Sequence, residues 1–512
     1  MDIDDENGPA IPLSDQRTED LVRGVEQFHK WLKLKDIIEK DTLIKGAKIA
    51  RAPDNFALVG LSVPEEEAIT SEDKQLPWET RGLLVTIMVT ACAAITQGWQ
   101  QSTINGSALF LWQDDLHLDK NKDELLIGLI NAAPWLSASL VGTWLSDPLQ
   151  DRFGRRPALF VAALFCIILV IGTAQCNRWQ TLLVCRCLLG VGIGSKASIA
   201  PVFAAEAAPD KHRGQVLMMW QLFDAFGIFL GFLCAFLVRG NWRVLLATAI
   251  IPAIVLLFLV SICTESPRFL IQKHRYADAY KSLLQLRGTE IQAARDLYNI
   301  HSQLQVEATR RWRPNESQWS ERFELYIYQR WIREENFFSR MWYLFTAPRN
   351  RRACMVALIV MLSQQLCGIN VLAFYSSALI EASGMSNPKP RIEGYNLAFR
   401  FVDSRGRRPL LLVSFSGMLF SLAAVTGFFK LTDPETRLIL VSIISIAFFV
   451  LFYSIGAGPI PFTLSAEVFP LHVRDVGMSF SVMINFLFLG LLVFAVPSLT
   501  NKFGNGNSMI QQ

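Results

Sequence analysis

The chain has 512 residues, of which 51% are hydrophobic and only 18% charged, against about 25% charged in a soluble globular protein. A mean hydropathy of +0.29 over that length argues for many membrane spans and against one large soluble core. The net charge of +4 implies no nucleic-acid partner, and the nine cysteines lie mostly in apolar stretches without metal-ligand spacing, as small apolar fillers do.

The acidic, polar start at Met1–Glu6 is no signal peptide, so the first span is expected to direct insertion. Residues 1–80 hold no spanning segment. Val25, Phe28 and Leu32 sit at helical spacing there, but a mostly disordered cytosolic tail is expected. About 20 apolar residues are needed to cross a bilayer. Runs of that kind fall at 82–104, 124–146, 157–175, 181–203, 216–238 and 244–263, and again at 353–382, 409–429, 437–463 and 477–499. The polar stretch 264–350 between the two sets predicts soluble helices at Tyr276–Leu286 and Glu290–Leu304. Arg152, Arg155, Arg156, Lys211 and Arg213 place their loops and that linker in the cytoplasm, whereas the acidic 113–124 loop suits the outside.

The sequence repeats itself. Asp151-Arg-Phe-Gly-Arg-Arg-Pro157 returns as Asp403-Ser-Arg-Gly-Arg-Arg-Pro409, and Ala205-Glu206-Ala-Ala-Pro209 followed by Arg213 returns as Ala466-Glu467-Val-Phe-Pro470 followed by Arg474. Two motifs in one order imply two halves on one plan, the architecture of many secondary transporters. The expected organisation is therefore an all-α membrane protein: tail 1–80, a six-span bundle 81–263, a helical linker 264–350, an incomplete bundle 351–500 and a polar end 501–512. The second half is expected to hold about five spans. Its eighth span must fit Pro388–Val402, which reaches only about 22 Å as a helix and contains Lys389, Arg391, Glu393 and Arg400. No twelfth span is expected in the polar stretch 501–512.

Further motifs are Gly98-Trp99-Gln100-Gln101, Arg186–Gly194, Glu265-Ser-Pro-Arg268, Gln364-Gln365-Leu-Cys-Gly-Ile-Asn370, Phe374-Tyr-Ser376 and Gly458-Pro-Ile-Pro461. Together with the repeats, these resemble the sugar porter family of the major facilitator superfamily over about residues 80–500, in the style of fungal hexose, disaccharide and polyol permeases. The resemblance implies a two-bundle fold and alternating-access transport of a small neutral sugar or polyol, without cofactor, metal or enzymatic activity. It also implies sugar contacts at Gln221, Gln364, Gln365, Asn370 and Asn485, with Phe462 where the family often has a tryptophan. Amides both donate and accept hydrogen bonds, which suits hydroxyl groups; the alternative use of such amides is bonding between helices.

Gln100 stands where proton-coupled members commonly carry aspartate, and an amide cannot titrate. That favours facilitated diffusion over proton symport unless another carboxylate, Glu206 or Glu467, takes the proton. Asp151, Arg155, Arg156, Glu206, Arg213, Glu265 and Arg268, with Asp403, Arg407, Arg408, Glu467 and Arg474, form a candidate gating network at the inner helix ends. Single exposed ion pairs contribute about 0–1 kcal/mol, but a network biases a two-state equilibrium with a few kcal/mol. A sugar-sensing receptor of the same fold and a degenerate or wrongly spliced transporter are the alternatives. A monomer in the plasma membrane with a cytoplasmic N-terminus is expected.

Overall fold

The computed structural model describes residues 18–32, 37–52, 59–72, 80–109, 115–118, 123–238, 241–312, 337–370, 407–428 and 448–504. Among these residues the regular elements are all helical. The first half comprises α4 (Arg81–Leu109), α5 (Glu124–Ser137) continuing through a π-helical turn at Ala138–Gly142 into α6 (Thr143–Phe153), α7 (Arg155–Ala174), α8 (Trp179–Ala207) and α9 (Arg213–Val238), then α10 (Trp242–Ala247) with α11 (Ile250–Ile262). Each of these six passes is long and apolar enough to cross a membrane. The π turn follows Pro134, which has no N–H to give to the preceding turn.

The second half comprises α15 (Phe337–Thr346), α16 (Pro348–Leu366), α17 (Arg407–Phe428), α18 (Val450–Ile455), α19 (Ile460–Val468) and α20 (Arg474–Gly504). The span predicted at 353–382 does not run through as one helix: α16 stops at Leu366, and Gly368 takes a left-handed φ of 84°. The span predicted at 437–463 is likewise broken, by the Gly456–Pro459 turn between α18 and α19. The short eighth span predicted at Pro388–Val402, and the chain beyond 504, lie outside the described residues.

Burial explains why these helices assemble in lipid. On α7, Phe160, Val161, Leu164, Ile168 and Ile171 are exposed, and on α11 Ile251, Ile254, Val255, Phe258 and Ile262 are exposed. Each set recurs at helical spacing, so each helix turns one apolar face outward where a soluble protein would place charge. Inside, small residues let backbones approach. A Cβ on Gly98 or Gly227 would collide with the backbone carbonyls of Asp224 and Ile95, and one on Gly231 with the Ser102 hydroxyl, so α4 and α9 meet along a glycine seam.

The tail departs from the sequence expectation. From residue 18 to 72 it forms α1 (Thr18–Trp31), α2 (Lys40–Arg51) and α3 (Val63–Glu72), which pack on α12 (Pro267–Gln272), α13 (Tyr276–Arg287) and α14 (Glu290–Trp312) of the linker. Leu21, Val25, Phe28, Leu43 and Ala47 share one core with Leu270, Tyr276, Leu283, Ala294 and Leu297. Arg295 clamps the two segments with a bidentate pair to Glu72 at 2.6 and 2.9 Å.

His301 lies in that core, 4% exposed, with its Nδ1 3.0 Å from the Tyr276 hydroxyl and its ring 4.5 Å from Phe28. Burial, with His274 nearby, pushes its pKa down to about 3. Between the ordinary value of 6.5 and about 3, the unfolded segment binds a proton that the folded one refuses. Stability present above 6.5 is therefore lost as pH falls through that window. Going from pH 7 to pH 5 is expected to weaken the tail–linker packing by about 2 kcal/mol. Amide hydrogen exchange in α1, α13 and α14 at both pH values checks this, and His301→Gln should remove the dependence.

Candidate functional site

Two polar clusters stand out in the apolar body. The first joins the ends of broken helices in the second half. Gln364 and Gln365, at the end of α16, are 2% and 3% exposed. Gln364 Nε2 donates to the Gly458 carbonyl at 2.9 Å and lies 3.4 Å from the Tyr453 hydroxyl. Gln364 Oε1 accepts from Asn485 Nδ2 of α20 at 2.7 Å, and Asn485 Oδ1 accepts from Gln365 Nε2 at 2.9 Å. Gln365 Oε1 in turn accepts from Asn370 Nδ2, beyond the left-handed Gly368.

The result is one unbroken chain of amides, Asn370–Gln365–Asn485–Gln364, ending on a backbone carbonyl of the buried 456–459 turn. The break there matters, because a carbonyl inside a continuous helix is already taken by the residue four positions on. In this arrangement the amides satisfy one another and tie α16 to α20. Every donor and acceptor in the chain is of a kind that a hydroxyl group can replace.

The first half meets α19 through aromatic rings. Phe462 is 4% exposed and tilts over Trp220 of α9, with centroids 6.1 Å apart at 30°. Gln221 follows Trp220 and is 8% exposed. It makes no hydrogen bond to the amide chain, so the structure brings four of the six predicted sugar contacts into one network and leaves Phe462 and Gln221 outside it. On α4, Gln100 is 4% exposed and neither of its amide atoms has a protein partner among the described residues.

The second cluster lies at the linker end. Arg155 opens α7 and is 1% exposed. Its guanidinium holds Glu206 of α8 through Nε at 3.1 Å and Nη2 at 3.0 Å, and reaches Asp475 of α20 at 2.8 Å, so one cation bridges the two halves. Glu206 also accepts from the Ser266 hydroxyl, and Arg268 lies 3.6 Å away. Gly154, with φ of 99°, turns the chain so that the Glu265 carboxylate accepts the first N–H groups of α7, Arg155 N at 3.0 Å and Arg156 N at 3.3 Å. Burial pushes the Glu265 carboxyl above its usual value, and the Ser266 N–H and the Arg155 charge oppose that rise. A second bridge between the halves runs from Arg340 of α15 to Asp147 at 3.0 Å, with Asp151 held by Lys273 at 3.2 Å. Ser146 and Ser479 close the same seam at 3.1 Å.

Other predicted members of the network are placed differently. The Arg156 guanidinium donates to the carbonyls of Val260 and Ser261, not to a carboxylate. Arg213 turns back on Asp210 and the Ala205 carbonyl. Arg408 is exposed at the start of α17. Arg474 is buried, with Arg213 and Arg268 as neighbouring cations and Glu206 as a neighbouring anion. Glu467 ends α19. Asp403 and the Arg407 side chain lie outside the described residues. Sequence reasoning misses Asp475, although aligning the two repeats sets it opposite Gly214 as an extra acid. It also misses Asp147, Arg340, Tyr453, and the ionisable Lys196 and Asp224 inside apolar runs.

The family model described as "Sugar (and other) transporter" matches residues 85–511. Probable polyol transporter 3 of Arabidopsis thaliana is 27% identical over 82% of this chain and 83% of its own length. The galactose-proton symporter of Escherichia coli is 26% identical over 82% and 85% respectively. Among solved structures, the proton:xylose symporter XylE of E. coli bound to 6-bromo-6-deoxy-D-glucose is similar over 82% of this chain and 89% of that one, with a TM-score of 0.64 at 19% identity. With a repeated motif set, helical halves in the fold of that symporter and a family match over most of its length, the chain belongs to the sugar (and other) transporter family.

Proposed function

We propose that this protein carries a small neutral sugar or polyol across a lipid bilayer by alternating access. The observation that carries the reading is the chain of buried, uncharged amides from Asn370 to the Gly458 carbonyl. Polar side chains at that depth are costly unless they face a partner, and neutral donors and acceptors in series match a polyhydroxylated guest. The guest exchanges its hydroxyl groups for the amide–amide bonds, with Gln221 and the Phe462–Trp220 pair on the facing wall. A polyol transporter and a galactose-proton symporter among the relatives support this substrate class.

The Arg155–Glu206–Asp475 cluster is the gate at the linker end. By the excess of arginine and lysine there, that end and the N-terminus face the cytoplasm. The protein acts as a monomer in the plasma membrane. The test is counterflow in proteoliposomes of the purified protein, using labelled D-glucose, D-galactose, D-xylose, mannitol and myo-inositol. Saturable exchange of at least one compound supports the reading, and no exchange with any of them overturns it.

A further inference from the structure

Two ionisable side chains lie inside the first bundle and take no part in either cluster. Lys196 of α8 is 0% exposed and Asp224 of α9 is 5% exposed. Among the described residues, Lys196 Nζ and Asp224 Oδ1 have no hydrogen-bond partner. Arg186, another buried cation of α8, is by contrast tied to the Ile130 carbonyl and the Asn131 side chain, both at 3.1 Å. Lys196 and Asp224 act on one another electrostatically without direct salt-bridge contact.

Their depth matches. Lys196 lies about three turns before α8 ends at the linker side, and Asp224 about three turns after α9 begins there. Both therefore sit near the middle of a hydrocarbon layer about 30 Å thick. Asp224 is also three residues after Gln221, one turn along the same face of α9, and its backbone carbonyl meets Gly98 beside Gln97 and Gln100. Gln100 of α4 cannot titrate, whereas Asp224, on the helix packed against it, can.

We infer that Asp224, poised against Lys196, is a proton-binding site that couples proton entry to transport of the sugar. The inference rests on the transport reading above. Loading adds one proton to the Asp224 carboxylate to give the neutral acid, with no redox change. Lys196 then holds an unbalanced positive charge, on which the membrane potential acts. An ionisable residue buried inside a membrane bundle marks a functional site by default.

Few charges compete at that position. Among the described residues, Lys196 is the charged group that acts on Asp224, and the Cys166 thiol of α7 acts on Lys196. On α4 the titratable groups are Cys92 and, at the linker end, Arg81. Arg243 of α10 is paired with Asp115 at the far end, and Glu206 and Glu467 lie at the linker ends of α8 and α19.

The experiment uses proteoliposomes of the full chain and whichever labelled compound gives counterflow. Wild type should accumulate it about tenfold for each unit of imposed pH gradient, and adding the compound to weakly buffered vesicles should alkalinise the outside. Asp224→Asn should reduce accumulation to simple equilibration and abolish alkalinisation while counterflow remains measurable; Asp224→Glu should restore both. Counterflow without alkalinisation in wild type overturns the inference and leaves the sugar reading standing. So does undiminished accumulation by Asp224→Asn. Absence of counterflow with every compound removes both readings. Even if neither variant folds, the wild-type assay can still overturn the inference, by counterflow without alkalinisation.

Discussion

Gln364→Leu is expected to cut sugar uptake, as Vmax/KM, by roughly 100-fold, equivalent to about 2.7 kcal/mol. Gln364 is the hub of the amide chain, giving hydrogens to the Gly458 carbonyl and receiving one from Asn485. Leucine fills similar space but leaves that carbonyl without this donor and the Asn485 Nδ2 with only the weak acceptor Met361 Sδ at 3.4 Å, and it offers nothing to a hydroxyl group. Each orphaned group costs about 1–3 kcal/mol, borne by the loaded state if the amides bind sugar and by the fold itself if they serve only to join helices. Initial-rate uptake in transporter-null cells, normalised to protein at the surface, separates the two. A raised KM with normal expression and thermal stability is the expected outcome. A lower melting temperature with an unchanged KM would show that the amides are purely structural.

The other large effect is expected from Asp475→Asn. Asp475 provides the cross-half contact to Arg155, and the cation is almost wholly buried. Breaking a buried charge pair by removing one partner typically costs about 3–5 kcal/mol. Here part of that loss can be relieved by separating the halves, because Arg155 keeps Glu206 on its own side. The variant should therefore favour the state open at the linker end. A cysteine at Ser479, which is 0% exposed and bonded to Ser146 across the seam, reports this. Its maleimide labelling should rise by about tenfold or more in the Asp475→Asn background, with the nine native cysteines as the control background. Unchanged labelling would mean that the bridge holds no gate shut, and Asp475→Glu should restore protection.

How much of this is legible in the sequence follows from the range of each interaction. The repeated motifs and the apolar runs are local, and they foretell two bundles and most of the span positions. The amides of α16 and α20 also stand out, because neutral polar groups in an apolar run have few structural uses. Pairing of charges is another matter. Arg155 and Asp475 are 320 positions apart, and nothing local distinguishes Asp475 from Glu467 or Asp403 as the partner. Arg156, next to Arg155 in the motif, turns instead to the backbone carbonyls of Val260 and Ser261, because helix ends leave such acceptors unfilled, and Arg213 turns to the Ala205 carbonyl and to Asp210 three residues before it. The tail helices fail for a similar reason. Leu21, Val25 and Phe28 make a short apolar stripe with little value until α13 and α14 supply the opposing face.

The glycine seam between α4 and α9 has a counterpart in the breaks at Gly368 and Gly456–Pro459. In the first half, α4 and α8 run uninterrupted for 29 residues each. Their counterparts by the repeat, α16 and the α18–α19 pair, are each divided beside the amide chain. Compliance is thus unevenly shared between lobes of common descent: one resembles an anvil, while the other is jointed where the cargo would rest. Any stroke of this machine should strain the jointed lobe first, and a substitution that stiffens Gly368 should slow turnover more than the same stiffening anywhere along α4.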